Sequence, residues 1–430
     1  MNQIIVVRNG DTLYKLATKY GTTVEEIAKD NGYDASLPLV VGQSLLVNTK
    51  GNIYYVQPGD TLYKIALTYN IPVSTLSKAN NLSIKTNLES GQTLYIPKGT
   101  KKQIEAIAYL QPTSIPIKNT LLAATNGIAP YVTYIAYFSF EANRDGTLTM
   151  PTNLEDIITI SKRNKVVPML VVTNLENGNF SPALTNIILT NKTVQNKLIT
   201  TILDTAKKYN MSDVHFDFEN VSPNNREAYN QFLRNVKDRL PQGYTLSTTL
   251  PPKTSSNQKG PFLEGIDYKA HGSIVDFVVI MTYDWGWQGG PPLAVSPIIP
   301  VKDVIQYAKK EMPAKKIMMG QNLYGFDWTL PYKEGNPPAK ALSSVAAVSL
   351  AREHNVPILY DTLAQAPHFT YVDSAGKKHE VWFEDARSIQ AKLNLIKEQG
   401  IRGISYWKIG LPMPQNWRLL TENFTIEKKG

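Results

Sequence analysis

The stretch Ser212-Asp213-Val214-His215-Phe216-Asp217-Phe218-Glu219-Asn220 decides how the rest of the chain is interpreted. Apolar and polar residues alternate along it, which predicts a strand with one packing face and one polar face. His215, Asp217 and Glu219 share the polar face, and the two carboxylates lie about 7 Å apart along it. Burying carboxylates is costly unless they line a cavity that uses them. The stretch therefore indicates a functional site on a buried strand.

Length and composition indicate a globular protein of two or more domains. The chain has 430 residues, of which 42% are hydrophobic and 19% charged, and this length exceeds what one hydrophobic core usually supports. The formal net charge of +9 favours an anionic partner such as an acidic wall polymer. No Lys/Arg-rich run and no basic helix points to nucleic acid, so we expect no such partner.

Several chemistries are excluded by residue type and spacing. The absence of Cys rules out disulfides, thiolate metal sites and a Cys nucleophile, and the five His residues show no metal-ligand spacing. We therefore expect no metal and no cofactor. No stretch approaches the roughly 20 apolar residues that span a bilayer, and the opening residues 1–8 are too short an apolar run for a signal peptide. We expect no membrane partner and no ordinary export signal.

The first quarter of the chain is a direct repeat. Residues 4–48 return as residues 53–97 with a constant offset of 49, so that Gly10-Asp11-Thr12-Leu13-Tyr14-Lys15 corresponds to Gly59-Asp60-Thr61-Leu62-Tyr63-Lys64. In each unit a short apolar run is followed by a Gly-Asp turn, two segments with helical spacing and a second short apolar run. This pattern predicts two strand-helix-helix-strand modules.

Both units resemble LysM modules, which bind the N-acetylglucosamine face of peptidoglycan and chitin. The Gly-Asp-Thr-Leu opening, the central Asn and the late Gly-Gln-x-Leu carry the resemblance. It implies that sugar binds between two loops of each module. The first strand-helix loop is residues 10–13 or 59–62, and the second helix-strand loop is residues 31–33 or 80–82. The implied glycan-binding residues are Gly10, Asp11, Thr12, Asn31, Gly59, Asp60, Thr61 and Asn80. Because Gly suits turns and Asp caps helices, a purely structural role for them stays open.

The larger part of the chain alternates strand-like runs with helical segments. Eight strands are predicted at 106–110, 133–139, 166–172, 213–219, 245–250, 277–283, 316–321 and 403–407. We predict an α/β fold, a (β/α)8 TIM barrel with a small α+β insertion, preceded by the two βααβ modules. An open doubly wound sheet is the alternative, but no glycine-rich phosphate fingerprint follows any strand.

The domain boundaries follow from these patterns. We expect the first module over residues 1–49, the second over 52–98 and the barrel over 103–430, with a short linker at 98–102. Residues 331–383 are more than one helix needs and form the predicted insertion between strands seven and eight. Within it, residues 371–382 predict a hairpin that turns at Ser374 to Gly376. Insertions at this end of a barrel commonly build a cleft wall.

Candidate site residues fall at the carboxyl ends of three predicted strands. Asp217 and Glu219 end the fourth, Tyr283 and Asp284 end the sixth, and Trp407 ends the eighth. Active residues of a barrel cluster at this end. Each residue also has a structural interpretation: Asp284 as a helix cap or ion-pair partner, and the two aromatic residues as ordinary core. The conjunction of three strands favours a site.

This conjunction resembles glycoside hydrolase family 18, which contains chitinases and N-acetylglucosaminidases, over about residues 104–425. The family pattern Asp-x-x-Asp-x-Asp-x-Glu is matched at Asp217 and Glu219, whereas Ser212 and His215 stand where the family usually has Asp. The Met-x-Tyr-Asp of the sixth strand is matched by Met281-Thr282-Tyr283-Asp284, and the final Trp by Trp407.

The resemblance implies a retaining, substrate-assisted glycosidase without an enzymic nucleophile. Glu219 would be the acid and base, with its pKa raised by the charge of Asp217. Asp217 and Tyr283 would orient the acetamido group of the substrate, and Trp407 would form the floor under the sugar. Further substrate-binding residues would be Asp284, Met281, Gln321 and Asn322.

His215 is the main departure from the family pattern. A positively charged imidazole in place of a carboxyl neighbour would keep Asp217 ionised and shift the pH profile. The alternative is an interior His that is hydrogen-bonded to a neighbour, and we favour that over a direct catalytic role.

Two such modules before such a barrel resemble the spore cortex-lytic N-acetylglucosaminidases of spore-forming bacteria. The resemblance implies a monomer that binds glycan strands of cortex peptidoglycan and cleaves them during germination. It also implies synthesis in the mother cell without a signal peptide and a location at the boundary of spore cortex and coat. A chitinase and a catalytically silent wall-binding protein remain the alternatives.

Overall fold

The larger domain is a closed barrel of parallel strands. The computed structural model describes residues 1–112 and 117–429. The barrel strands are β1 Lys102–Leu110, β2 Tyr134–Ala142, β3 Val167–Thr173, β4 Asp213–Asp217, β5 Thr245–Leu250, β6 Phe277–Ile280, β7 Ile317–Asn322 and β8 Gly403–Trp407. Pairing of β8 with β1 and of β1 with β2 closes the ring. The predicted barrel is confirmed, and the open sheet is wrong.

Helices surround the barrel. They are Asn119–Ile128, Leu154–Arg163, Pro182–Thr190, Lys192–Tyr209, Arg226–Arg239, Tyr268–Ile274, Ile298–Glu311, Ala386–Gln399 and Pro414–Asn423. The helix Lys192–Tyr209 shows why they form, since its buried Leu198, Ile199 and Ile202 recur at helical spacing. None of the helices in the described ranges is long and apolar enough to cross a membrane.

Strand alternation divides the barrel side chains into two layers. Val214, Phe216 and Phe218 of the β4 segment pack outward, where Phe216 and Phe218 meet Phe232 of the helix Arg226–Arg239. The intervening His215 points inward and is hydrogen-bonded across the barrel to β1 and β5. The predicted packing face and polar face of this strand are therefore confirmed.

The insertion between β7 and β8 is a five-stranded antiparallel sheet with one helix. In spatial order its strands are Lys340–Leu342, Gly325–Thr329, Lys378–Trp382, Ala366–Val372 and Leu359–Asp361, and its helix is Ser344–Glu353. The pairing of Ala366–Val372 with Lys378–Trp382 confirms the predicted hairpin. The sheet starts at Gly325, before the predicted boundary at residue 331, because Gly325–Thr329 pairs with Lys378–Trp382 rather than continuing the barrel.

Each repeat folds as predicted. The first module pairs strands Asn2–Val6 and Ser44–Asn48 around helices Leu13–Tyr20 and Val24–Asn31. The second pairs Ile53–Tyr55 and Thr93–Tyr95 around Leu62–Thr68 and Val73–Ala79. The remaining short elements are strands Leu148–Thr149, Leu175–Glu176, Asn179–Phe180 and Phe424–Ile426 and single 3-10 turns at Lys50–Asn52, Ala129–Tyr131, Pro223–Asn225 and Ala314–Lys316.

Both modules are docked on the barrel. At the end of the first helix of the second module, the carbonyl oxygens of Leu67 (2.8 Å) and Thr68 (2.7 Å) accept hydrogen bonds from Nζ of Lys397. Lys397 lies on the barrel helix Ala386–Gln399. In the first module the carbonyl of Val41 accepts a hydrogen bond from the amide of Ile358 in the insertion at 2.9 Å. Hydrogen bonds therefore hold both modules against the rest of the folded chain. The predicted linker at 98–102 leads directly into β1.

Candidate active site

Asp217 is the last residue of β4 and lies inside the barrel. Only 4% of its surface is exposed, and it accepts a hydrogen bond from the hydroxyl of Thr249 on β5. Burial raises the pKa of this carboxyl, because the charged form loses its hydration. Asp217 is therefore protonated more readily than a carboxyl in water would be.

Glu219 lies just beyond the end of β4, and its side chain is partly exposed at the barrel mouth. Its backbone is held on both sides by Asn174, which accepts from the Glu219 amide at 3.0 Å and donates to the Glu219 carbonyl at 2.9 Å. Asn174 is completely buried and also donates to Thr185 Oγ1 at 2.7 Å. This clamp fixes where the Glu219 carboxyl emerges, and nothing in the local sequence pattern predicts it.

The pKa of Glu219 is raised well above its ordinary value. Burial is the largest cause, and the negative charges of Asp217 and Asp284 add to it. The predicted direction is thus right, but its cause is corrected: desolvation outweighs the neighbouring carboxylate. A raised pKa favours the protonated form of the carboxyl, and a protonated carboxyl is what a general acid requires.

His215 belongs to a buried hydrogen-bonded chain that crosses the barrel. Its Nε2 lies 2.7 Å from the hydroxyl of Tyr109, and its Nδ1 lies 2.8 Å from Ser247 Oγ. Ser247 in turn donates to Asp213 at 2.8 Å. Burial raises the pKa of Asp213 to about 7 and lowers the pKa of His215 to about 3. The complete burial, the two hydrogen bonds and the lowered pKa all favour the alternative of a satisfied neutral interior His over a positively charged one.

The chain after β6 turns sharply at the mouth. Asp284 has a φ of 65°, in the left-handed region that Asp tolerates better than most residues. Its carboxylate accepts a hydrogen bond from the hydroxyl of Tyr324 at 2.5 Å. Burial, followed by the charge of Asp217, raises the pKa of Tyr283 well above its usual range, so its hydroxyl remains a donor. Met281 is partly exposed beside them.

Trp407 closes the site from the end of β8. Its ring meets Tyr109 edge-on at 5.6 Å between centroids and Phe138 at 5.1 Å. On the other side, Trp407 and Tyr283 pack against a cluster that includes Phe326 and Trp382 of the insertion. The insertion therefore forms a wall beside these residues, and Trp407 is held as a partly exposed plate rather than as core.

Trp287 is a second exposed aromatic residue near the mouth, and it is not among the residues predicted from the sequence. Its side chain is 53% exposed. Gly290 lies directly beneath the indole, since a Cβ there would come within 2.5 Å of Nε1. The loop is fixed to the insertion, because the Gly290 carbonyl accepts from Trp328 Nε1 at 2.9 Å. The sequence signal was the pair of glycines two residues after a Trp.

Two predicted substrate contacts are corrected. Gln321 and Asn322 at the end of β7 are both completely buried. Gln321 shares the outward face with Met319 of the outer core, and its Nε2 donates to the Asn322 carbonyl at 2.8 Å. Asn322 donates to the carbonyl of Tyr324 at 2.7 Å. Neither offers a surface to a sugar, and Asn322 instead supports the residue that holds Asp284.

The residues predicted to bind glycan in the modules all have folding roles. Thr12 and Thr61 cap the first helices by accepting from Lys15 and Lys64 amides. Asp11 accepts from the Arg8 amide, and Asp60 from the Gln57 amide. Gly10 and Gly59 take positive φ angles of 82° and 81°. These are the roles that the structural alternative predicted.

Asn31 and Asn80 connect the second helix of each module to its closing strand. Asn31 donates to the carbonyls of Ile27 and Leu46 and accepts from the Leu46 amide, and Asn80 makes the equivalent three bonds with Leu76 and Tyr95. Their amides are used in these hydrogen bonds, so a structural role accounts for both residues. Direct glycan binding by these two side chains stays a prediction.

The chain resembles characterised proteins over its whole length. Its sequence matches the family described as Glycosyl hydrolases family 18 over residues 101–411 and the LysM domain over residues 5–48 and 54–97. It is 72% identical over 430 residues to a cortical fragment-lytic enzyme of Bacillus anthracis, with 100% of both chains covered. A cortical fragment-lytic enzyme of Bacillus subtilis strain 168 is 54% identical over 428 residues, 99% of each chain.

Solved structures agree with this similarity. The crystal structure of the Bacillus cereus spore cortex-lytic enzyme SleL has 69% sequence identity and a TM-score of 0.98, and the match covers 100% of this chain and 99% of that chain. The Bacillus megaterium QM B1551 spore cortex-lytic enzyme SleL has 45% identity and a TM-score of 0.86 over 99% of each chain.

Proposed function

The chain belongs to glycosyl hydrolases family 18 and carries two LysM domains, and on this premise we propose that it is an N-acetylglucosaminidase that cleaves spore cortex peptidoglycan. It is a glycosidase by family. The substrate is proposed from relatives that are named cortical fragment-lytic enzymes and match this chain from end to end. Cleavage of cortex fragments during germination is the role that such a substrate implies.

The observation that carries the proposal is the state of Glu219. Its backbone is fixed by the Asn174 clamp, and its carboxyl has a raised pKa and lies at the mouth of the barrel near Asp217. In the first step the substrate's acetamido oxygen attacks the anomeric carbon, the glycosidic bond breaks, and the leaving oxygen takes the proton of Glu219. In the second step Glu219 takes a proton from water, whose oxygen opens the cyclic intermediate and restores the original anomeric configuration.

The other residues of the mouth position the sugar. Asp217 and Tyr283 hold the acetamido group, because a carboxyl with a raised pKa and an un-ionised phenol can both donate hydrogen bonds to it. Trp407 supplies the floor under the ring, and Trp287 provides a second stacking surface farther along the glycan. Asp284 and Met281 border the same sugar.

The protein acts as a monomer in the spore, at the boundary of cortex and coat, and is made in the mother cell. One chain supplies every residue named in the site, which supports action without a second copy. The anionic character of peptidoglycan suits the net charge of +9.

The test is mass spectrometry of soluble products. Wild type and Glu219→Gln are incubated with purified cortex peptidoglycan fragments and, separately, with chitin oligomers. Release of fragments ending in reducing N-acetylglucosamine from cortex by wild type alone supports both the activity and the acid. Faster release from chitin oligomers would make the protein a chitinase. Release from neither, with both proteins still sedimenting with the wall, would make it a binding protein.

A further inference from the structure

The two modules are related residue by residue through the offset of 49, yet they present different surfaces. Leu46 on the closing strand of module 1 is completely buried, whereas its equivalent in module 2, Tyr95, is 47% exposed. Val40 is buried and its equivalent Glu89 is exposed. The sequence of module 1 is therefore apolar where the barrel covers it, and module 2 is polar or aromatic at the same positions.

The barrel covers module 1 on the second helix-strand loop. Gln415 Nε2 donates to Asn31 Oδ1 at 2.7 Å and to the Ser44 carbonyl at 3.0 Å. Arg352 of the insertion lies over the Tyr33 ring at 4.9 Å and donates to the Pro38 carbonyl at 2.9 Å. This is the loop that would form one side of a sugar-binding groove in a LysM module.

The end of the second helix shows that the contact is built into the sequence. Gly32 follows this helix with a φ of 59°, and a Cβ there would lie 2.7 Å from Cγ of Pro414. Module 2 has Asn81 at the equivalent place, exposed to solvent and with a φ of 55°. Both residues take the left-handed conformation, so the backbone alone does not explain the Gly in module 1. The missing side chain at Gly32 instead allows the barrel to approach closely.

The space that remains around each module also differs. The junction between the covered loop of module 1, the insertion and the barrel leaves a pocket of about 180 Å³. Pockets that hold ligands of drug size usually measure roughly 300 to 1,000 Å³, so this pocket is small for a glycan chain. The Gly59-Asp60-Thr61 turn of module 2 instead borders a larger groove of about 1140 Å³, which is also lined by the first strand of module 1 and by the barrel.

Module 2 is docked through a different surface and keeps both loops free. Its contacts with the barrel come from Leu67, Thr68 and Asn70 at the end of the first helix. The second loop carries Ile84, an apolar side chain that is 61% exposed, at the place where module 1 has Ala35. Tyr63, beside the first turn, is also exposed.

We propose that the two modules divide two tasks: module 1 is an internal docking unit that braces the insertion, and module 2 alone holds the peptidoglycan glycan. The inference rests on the proposed function, since it assigns a peptidoglycan-binding surface to one of two modules. Acetylated sugar rings offer apolar faces and amide groups, and the exposed Tyr63, Ile84 and Tyr95 of module 2 suit both.

The repeat supplies a matched test in the full chain. Both variants carry Glu219→Gln, so that the peptidoglycan is not digested during the binding assay. The pair Tyr63→Ala with Ile84→Asp is compared with the equivalent pair Tyr14→Ala with Ala35→Asp. All four side chains are exposed, so both variants are expected to keep the parent's thermal midpoint. The half-saturating concentration for sedimentation with insoluble cortex peptidoglycan should rise at least tenfold for the module 2 pair and less than twofold for the module 1 pair.

Equal losses for the two pairs, or no loss for the module 2 pair, would overturn the division of tasks. If the module 2 pair fails to keep the thermal midpoint, Tyr95→Ala with the same readout replaces it. Product release by the active parent is measured in parallel. Product release without a difference between the pairs would defeat only the module assignment, whereas no product from cortex would defeat the proposed function.

Discussion

Replacing Asn174 with Ala should impair catalysis although Asn174 touches no substrate. Its completely buried side chain makes two hydrogen bonds with the backbone of Glu219, one with Thr185 and one with the Ser181 carbonyl, all between 2.7 and 3.2 Å. A hydrogen bond is worth about 1 kcal/mol net, and a buried group left unpaired costs about 1–3 kcal/mol. We expect a loss of roughly 2–4 kcal/mol in the free energy of unfolding.

The catalytic effect follows from the position of Glu219. A displacement of about 1 Å in a catalytic group costs on the order of a hundredfold in rate. We expect Asn174→Ala to lower kcat ten- to a hundredfold on soluble cortex fragments with KM changed less than threefold. Asn174→Asp should recover part of kcat, because it keeps the acceptor for the Glu219 amide.

The assay is steady-state hydrolysis below the melting range of the variant. Asn179→Ala, an exposed Asn in the neighbouring hairpin, is the matched control and should leave kcat unchanged. An Asn174→Ala variant that loses stability as expected but keeps the wild-type kcat would refute the positioning role.

Three further predictions test other parts of the structure. Asp284→Asn removes a negative charge that raises the pKa of Glu219, so the alkaline limb of kcat/KM against pH should move to lower pH; movement to higher pH would contradict the electrostatics. Because the pKa of His215 falls to about 3 in the folded protein and is about 6.5 in an unfolded chain, the unfolded state binds the extra proton. Wild type should therefore lose stability relative to His215→Asn as pH falls from about 6.5 towards 4, by up to roughly 1.4 kcal/mol per pH unit, and urea unfolding that shows no difference in this window would disprove the neutral His. Gly32→Asn, which forces a side chain against Pro414, should lower stability by roughly 1–3 kcal/mol, whereas the reverse exchange Asn81→Gly should change it by only a few tenths; equal effects in calorimetry would argue against the docking contact.

Much of the fold was predictable because its signals are local. Each barrel strand is a short apolar run, and the Gly-Asp-Thr turns mark the same place in both modules. The ends of β4, β6 and β8 meet because parallel strands in a closed barrel present their carboxyl ends at one mouth. Asp217, Glu219, Tyr283 and Trp407 were predicted in this way, and the structure brings them to the same end of the barrel.

The remaining features depend on contacts between distant parts of the chain. Asn31 meets Gln415 and Arg352 meets Pro38, and no local pattern signals either pair. Asn174 is one polar residue after a strand and resembles any loop Asn. The charge of His215 depends on how completely the barrel buries it. Gln321 could have been placed correctly, because strand alternation puts it on the same face as Met319.

The docked modules also set a length scale for the substrate. When a binding unit is joined to a catalytic unit by a flexible tether, the gain in affinity depends on the tether and changes gradually with the distance between the two sites. Here Lys397 fixes the second module to the outside of the barrel, so that distance is constant. A glycan fragment shorter than the span gains nothing from the second point of attachment, and one that reaches both gains all of it. If module 2 holds the glycan as proposed, the protein would bind long fragments more tightly than short ones before any bond is cut.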